Sequence, residues 1–163
     1  MDYLIVRGEE TATDDKSNVI NPSLGAFIAN PCEDFRWRDG KEFSYIEAKC
    51  WCAVILLSGS SIFLGDNLEK LNEKGLSLIK TTIEYADFHS ATPILKGEQG
   101  LPEVWKKTGS TYCFNFSKTK KDYVIDLENG NYFDIFENKE YQVTNNKLAI
   151  SINPHDCVCL FKK

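Results

Sequence analysis

The sequence predicts an α/β unit followed by a small all-β, antiparallel sandwich. Three observations lead there. Residues 44–86 read as a helix, a short apolar strand and a second helix, the pattern of a parallel α/β unit. Residues 93–101 carry Pro93, Gly97 and Gly100 and mark a connector. From Glu103 onward the chain is a series of short strands separated by turn signals. The expected units are therefore 1–92 and 93–163.

In the first unit, Tyr3 to Val6 is an apolar run that stops at the charged loop Arg7-Gly8-Glu9-Glu10-Thr11. Asn21-Pro22 has the form of a helix start, with Leu24, Phe27 and Ile28 as a short apolar face and Asn30-Pro31 as its end. Asp39-Gly40 is a turn signal. Ser44 and Glu47 have the spacing of a capping box, so a helix begins just after Ser44. Its apolar face is read from Ile46, Cys50, Ala53, Val54 and Leu57, and Ser58-Gly59-Ser60 stops it. Ser61 to Leu64 is a continuous apolar run, which suits a strand buried on both faces. Gly65-Asp66-Asn67 ends that strand. Asn72 caps a further helix, whose face is Leu76, Ile79, Ile83 and Ala86. His89 falls in the loop that follows.

In the second unit the expected strands are 111–116, 123–127, 132–136, 141–143, 148–152 and 157–161. Asn129-Gly130 is a strong hairpin signal between the second and third of these. His155, beside Pro154, is a turn residue.

The 163 residues are 42% hydrophobic and 12% aromatic, enough to bury a real core. A net charge of −5 with no basic block argues against nucleic acid as a partner. No run approaches the roughly 18 apolar residues of a membrane span, so no membrane partner is expected. The start, MDYLIVRGEE, lacks the basic segment and apolar core of a signal peptide, which predicts a cytoplasmic chain.

The six cysteines are Cys32, Cys50, Cys52, Cys113, Cys157 and Cys159. In a reducing compartment they read as structural thiols. Cys50 and Cys52 lie two apart on a helix and point in different directions. Cys157 and Cys159 share one strand face but have no neighbouring pair at zinc spacing. No metal site and no cofactor are expected.

Several segments resemble α-galactosidases (melibiases) and related retaining glycosidases. Leu56-Leu57-Ser58-Gly59 with Ser61-Ile62-Phe63-Leu64-Gly65-Asp66-Asn67-Leu68 is similar to L-S-G-G-x-L-F-L-S-D-D-L, the last helix–strand step of their barrel. Val6-Arg7-Gly8-Glu9-Glu10-Thr11-Ala12 resembles R-I-G-x-D-T-A-P, after the sixth barrel strand, where the Asp is the general acid/base. Glu10 falls on that position, with one methylene more, and Val6 replaces the Arg. Asp34 to Gly40 resembles F-W-L-N-D-P-D at the end of the seventh strand, with Asp39 on the first Asp and Lys41 where the second would be. The ending, Asn153-Pro154-His155-Asp156 into Cys157 to Phe161, is similar to the last strands of the family's C-terminal β-domain.

The resemblance implies the last strand–helix units of a (β/α)8-type barrel over 1–92, followed by the C-terminal β-domain over 93–163. It implies Glu10 as acid/base and Asp39, Trp37 and Asp66 as sugar-binding residues on the site face. Other readings of these residues stay open. Glu10 also suits a solvated acidic loop, Asp39 a tight turn, and Asp66 a helix entry. The strands that would bear the nucleophile have no counterpart in the chain, so the sequence reads as the C-terminal portion of a retaining glycosidase, inactive until completed. Its expected partners are a carbohydrate of the α-galactoside type and either a complementary N-terminal barrel portion or a second copy. A non-catalytic carbohydrate-binding module stacking sugars on Trp37 or Trp105 is the alternative, with Trp51 expected in the core. A structural or interaction domain is the third reading.

Overall fold

The computed structural model describes residues 2–8, 10–11, 43–97 and 100–163. Strand β1 (Asp2–Leu4) comes first, then helix α1 (Tyr45–Ser58), strand β2 (Ile62–Leu64), a 3-10 turn (Leu68–Lys70) and helix α2 (Glu73–Glu84). Eight strands follow: β3 (Thr92–Lys96), β4 (Pro102–Lys107), β5 (Ser110–Phe114), β6 (Lys121–Asp126), β7 (Gly130–Asp134), β8 (Lys139–Val143), β9 (Lys147–Ile152) and β10 (Cys157–Lys162). Among the described residues no helix is long and apolar enough to cross a membrane.

The helix boundaries follow from local chemistry. The Ser44 side chain accepts from the Glu47 N–H, and Glu47 Oε2 accepts from the Ser44 N–H at 2.8 Å, so the capping box is complete. Gly59 ends α1 with φ 63. Asn72 caps α2 by accepting from the Gly75 N–H at 3.1 Å.

The β-region is a six-stranded antiparallel sheet in the order β3-β4-β5-β10-β7-β8, with the β6-β9 ribbon over one face. Side chains alternate between two cores. Cys113, Val104, Tyr132, Val143 and Leu160 meet Tyr123, Ile125, Ile150 and Ile152 of the ribbon. Tyr112, Phe114, Cys157 and Cys159 point the other way, into a core shared with Ala48, Cys52, Ile55 and Leu56 of α1. That second core also holds Leu4, Val6, Leu78 and Ile79, and so continues across residues 92 and 93.

Several expectations change on contact with the structure. Residues 93–101 are not a plain connector, because β3 pairs antiparallel with β4 around a turn closed by the Gly97 N–H on Leu101 O at 2.8 Å. Asn129-Gly130 does not form a two-strand hairpin. β6 pairs with β9 and β7 with β8 and β10, so the dipeptide carries the chain from the ribbon to the sheet. Tight reversal falls instead at Asn145 and Asn146, both at positive φ, the combination that type I′ turns need.

β1 and β2 pair directly and in parallel, with Tyr3 opposite Phe63. Their direct pairing makes them neighbours, with no strand between them among the described residues. They are not the sixth and eighth strands of one barrel, as the resemblance had placed them. β2 is also not buried on both faces. Tyr3 and Phe63, neighbours on one face, are exposed because nothing among the described residues covers that face, and Leu64, on the other, is exposed too. α1 buries Ala48, Lys49, Cys52, Ala53, Ile55 and Leu56, leaving Ile46 and Val54 exposed. α2 buries Gly75, Leu78, Ile79 and Thr82 and leaves Leu76 and Ile83 in an open apolar groove with Leu68.

Gly59 provides a sharp test of the α1 end. A Cβ there would lie 2.3 Å from the His89 backbone, in a connector held by the Ala91 N–H on Leu57 O. Gly59→Ala combines positive φ with a backbone clash and should lower stability by about 1–3 kcal/mol, read as a drop in urea midpoint at constant slope.

Candidate functional site

The carboxyl ends of β1 and β2 are tied together by Asp66. The Val6 N–H donates to Asp66 Oδ2 at 2.6 Å, and Arg7 Nη1 donates to Asp66 Oδ1 and to Gly65 O, both at 2.8 Å. The Asp66 side chain is 0% exposed. Both of its oxygens are engaged, so its direct work is to hold Arg7 at the site face.

The loop beyond Arg7 is folded tightly. Thr11 Oγ1 donates to Val6 O at 2.5 Å, and the Thr11 N–H to Gly8 O at 3.1 Å. Asn72 donates from Nδ2 to Glu10 O and from its backbone N–H to Thr11 O, both at 2.9 Å. A Cβ at Gly75 would lie 2.4 Å from Thr11 O, so the loop rests on the first turn of α2. Glu10 is thereby held at the surface with Oε1 3.4 Å from the Tyr45 N–H. Tyr45 is the first residue of α1, and a helix N-terminus favours a carboxylate. The structure thus brings Glu10, Arg7 and Asp66 to one end of the parallel pair.

Trp37 and Asp39 lie outside the described residues. Trp51 is on α1 as expected, but it is exposed rather than in the core, with Nε1 donating to Tyr3 O at 2.9 Å. Trp105 is half-buried with Nε1 on Pro102 O.

A second constellation escaped the sequence reading. Lys49 is only 3% exposed, between α1 and the sheet. Its Nζ lies 2.7 Å from Glu137 Oε1 and 2.8 Å from Asp156 Oδ1. Burial alone would lower the ammonium pKa, but Cys157 and these carboxylates raise it above the ordinary value. The local signal was a lysine inside an apolar helix. Its partners are 88 and 107 residues away in sequence, beyond any spacing rule.

Asp134, at the end of β7, is 1% exposed. Burial pushes its carboxyl up to about 6, against N–H bonds from Phe136 and Cys159 and the charge of Lys49. A carboxyl raised on folding stabilises the protonated native state. That contribution is whole below the ordinary value of 3.8 and is lost as pH rises through about 6. Asp134→Asn keeps an acceptor oxygen and removes the titration. The stability difference between variant and wild type should therefore change by about 3 kcal/mol between pH 3.5 and roughly pH 7, in the variant's favour at the higher pH. Denaturant melts of both proteins at the two pH values read it.

No family model matches the chain, and no curated protein matches it in sequence. Its fold does match solved structures. It is similar to a Bacteroides fragilis protein described as an α-galactosidase/melibiase, at TM-score 0.63 and 14% identity over 77% of this chain and 30% of that one. It is also similar to a GH27 β-L-arabinopyranosidase of Geobacillus stearothermophilus, at TM-score 0.60 and 16% identity, covering 75% of this chain and 32% of that one. A third match is α-galactosidase I of Mortierella vinacea, at TM-score 0.57 and 12% identity, covering 72% and 35%. The chain thus spans about a third of the length of these proteins and resembles their C-terminal part. The likeness is one of fold, and the β-region with its two helices agrees with their C-terminal β-sandwich.

Proposed function

We propose that this chain is the C-terminal portion of a retaining glycoside hydrolase of the α-galactosidase kind, active when an N-terminal part completes a (β/α)8-type barrel. The observation that carries the reading is the open side of the parallel pair. Tyr3 and Phe63 on one face of the strands and Leu76 and Ile83 on α2 are exposed, next to a β-domain whose central strands are covered by α1 on one face and by the β6-β9 ribbon on the other. A two-stranded parallel sheet is not stable by itself, and parallel sheets are normally covered on both faces. The solved structures of like fold are roughly two and a half times as long, which suits a covering portion of barrel size.

In this reading β1 and β2 take consecutive barrel positions, and their carboxyl ends face the sugar. Glu10 is the acid/base, protonating the glycosidic oxygen and then taking a proton from water. Trp37, Asp39 and Arg7, the last oriented by Asp66, contact the sugar. The nucleophile comes from the completing part, about 5–5.5 Å from Glu10, as the covalent route requires.

Alone, the chain should not hydrolyse an activated aryl α-galactoside. General acid catalysis by one carboxyl supplies about 10²–10⁴-fold, far below glycosidase acceleration. The assay is run at high protein concentration beside Glu10→Gln. Turnover that the variant loses would show a site complete without an added part and sink the reading.

The open side also has a hydrodynamic consequence. Light scattering should report self-association of the isolated chain, and Leu76→Lys with Ile83→Lys should abolish it. A monomer at all concentrations, with Phe63 and Leu64 amides as protected from exchange as those of β5, would contradict an uncovered face.

A further inference from the structure

We infer that Cys50, Cys157 and Asp156 form a binding site for a thiophilic divalent cation of the zinc type. Neither C-x-C pair can chelate by itself, but the fold joins one cysteine of each. Sγ of Cys50 on α1, Sγ of Cys157 on β10 and a carboxylate oxygen of Asp156 all lie within 4.8 Å of one another. Tetrahedral zinc sets two sulfurs about 3.8 Å apart, so closure needs movements of about an ångström or less. Thiolates with one carboxylate are a donor set that soft and borderline cations favour over calcium or magnesium.

The ligand-bearing turn is held in place before any cation arrives. Buried Asn115 donates from Nδ2 to Ile152 O and Asn153 O, and its N–H bonds Asp156 O at 2.9 Å. His155 takes φ 56, which turns the chain so that its carbonyl lies 3.5 Å from Cys50 Sγ. That carbonyl or a water completes four-coordination. Asp156 Oδ1 already meets Lys49 and the Cys157 N–H, so the second oxygen is the one assigned to the cation.

Charge balances as well. The cation displaces two thiol protons to solvent, leaving a dication with two thiolates and no added net charge. Cys50 is partly exposed, which gives the ion a route in. The bound cation would staple α1 to β10.

The test uses the whole chain, reduced with a phosphine so that no added thiol competes. Cobalt(II) should produce thiolate charge-transfer absorption that saturates at one equivalent and disappears when zinc(II) is added. Cys50→Ser should lose that absorption, and Cys113→Ala, in the other core, should keep it. No absorption in the wild-type chain, or unchanged absorption in Cys50→Ser, overturns the site. A measurement without variants stands beside it: zinc(II) should slow maleimide labelling of Cys50 at least tenfold, and an unchanged rate overturns it equally.

Discussion

Helix α1 is buried from two directions, and most of the structure is a consequence of that. On one side it meets Leu4 and Val6 of the parallel pair and Leu78 and Ile79 of α2, and on the other Tyr112, Phe114, Cys157 and Cys159 of the sheet. A polar group on either buried side of such a helix cannot reach water. Lys49 therefore needs Glu137 and Asp156, since an unpaired ammonium in that position would cost several kcal/mol. The last turn has the same need. Lys107 of β4 donates to Leu56 O at 2.8 Å, where a cation also suits the helix dipole, and its charge is balanced by Asp87 at 2.7 Å. The two buried lysines thus fix α1 on the sheet near both of its ends.

The same helix divides the molecule into a finished and an unfinished part. Toward the sheet the central strands are packed on both faces, with the β6-β9 ribbon over the far one. Toward β1 and β2 the described residues show two strands, and the large apolar side chains of Tyr3 and Phe63 face outward. Since the core is continuous through α1, the unfinished part is not loosely tethered. It is packed on the sheet through that core.

Local chemistry was legible in the sequence wherever one residue decides the outcome. Ser44 and Glu47, Gly59, Asn72 and the strands from Ser110 onward all fall where capping and alternation put them. The fold likeness was legible from the motif order around Leu56 to Leu68. What escaped was set by partners distant in the chain. The apolar face of α1 was misread because apolar residues surround that helix, so periodicity could not choose Cys52 and Ile55 over Val54 and Ile46. Asn129-Gly130 carries a hairpin signal, but β6 gains more by pairing with β9 over six residues. β3 was missed because all five of its residues are exposed, as suits an edge strand, leaving no alternation to read. Asp66 was read by position alone, and its commitment to Arg7 and Val6 depends on a parallel pairing that no local pattern encodes.

The candidate acid/base is linked to the sheet by a short mechanical path. Glu10 Oε1 meets the first N–H of α1 at Tyr45, and Lys49, one turn along, is clamped by Glu137 and Asp156 on the sheet side. The Glu10 carboxyl is thus referred to the β-domain through one helix turn, beside the hold that Asn72 has on the loop that bears it. Catalytic groups tolerate little displacement, with about 1 Å costing on the order of a hundredfold. A β-domain packed against the helix beside a catalytic loop can then serve as the reference frame for that loop, without itself touching substrate. This gives the buried charges a reason to be there. An apolar contact could slide along the sheet face, whereas a lysine between two fixed carboxylates holds the helix at one register.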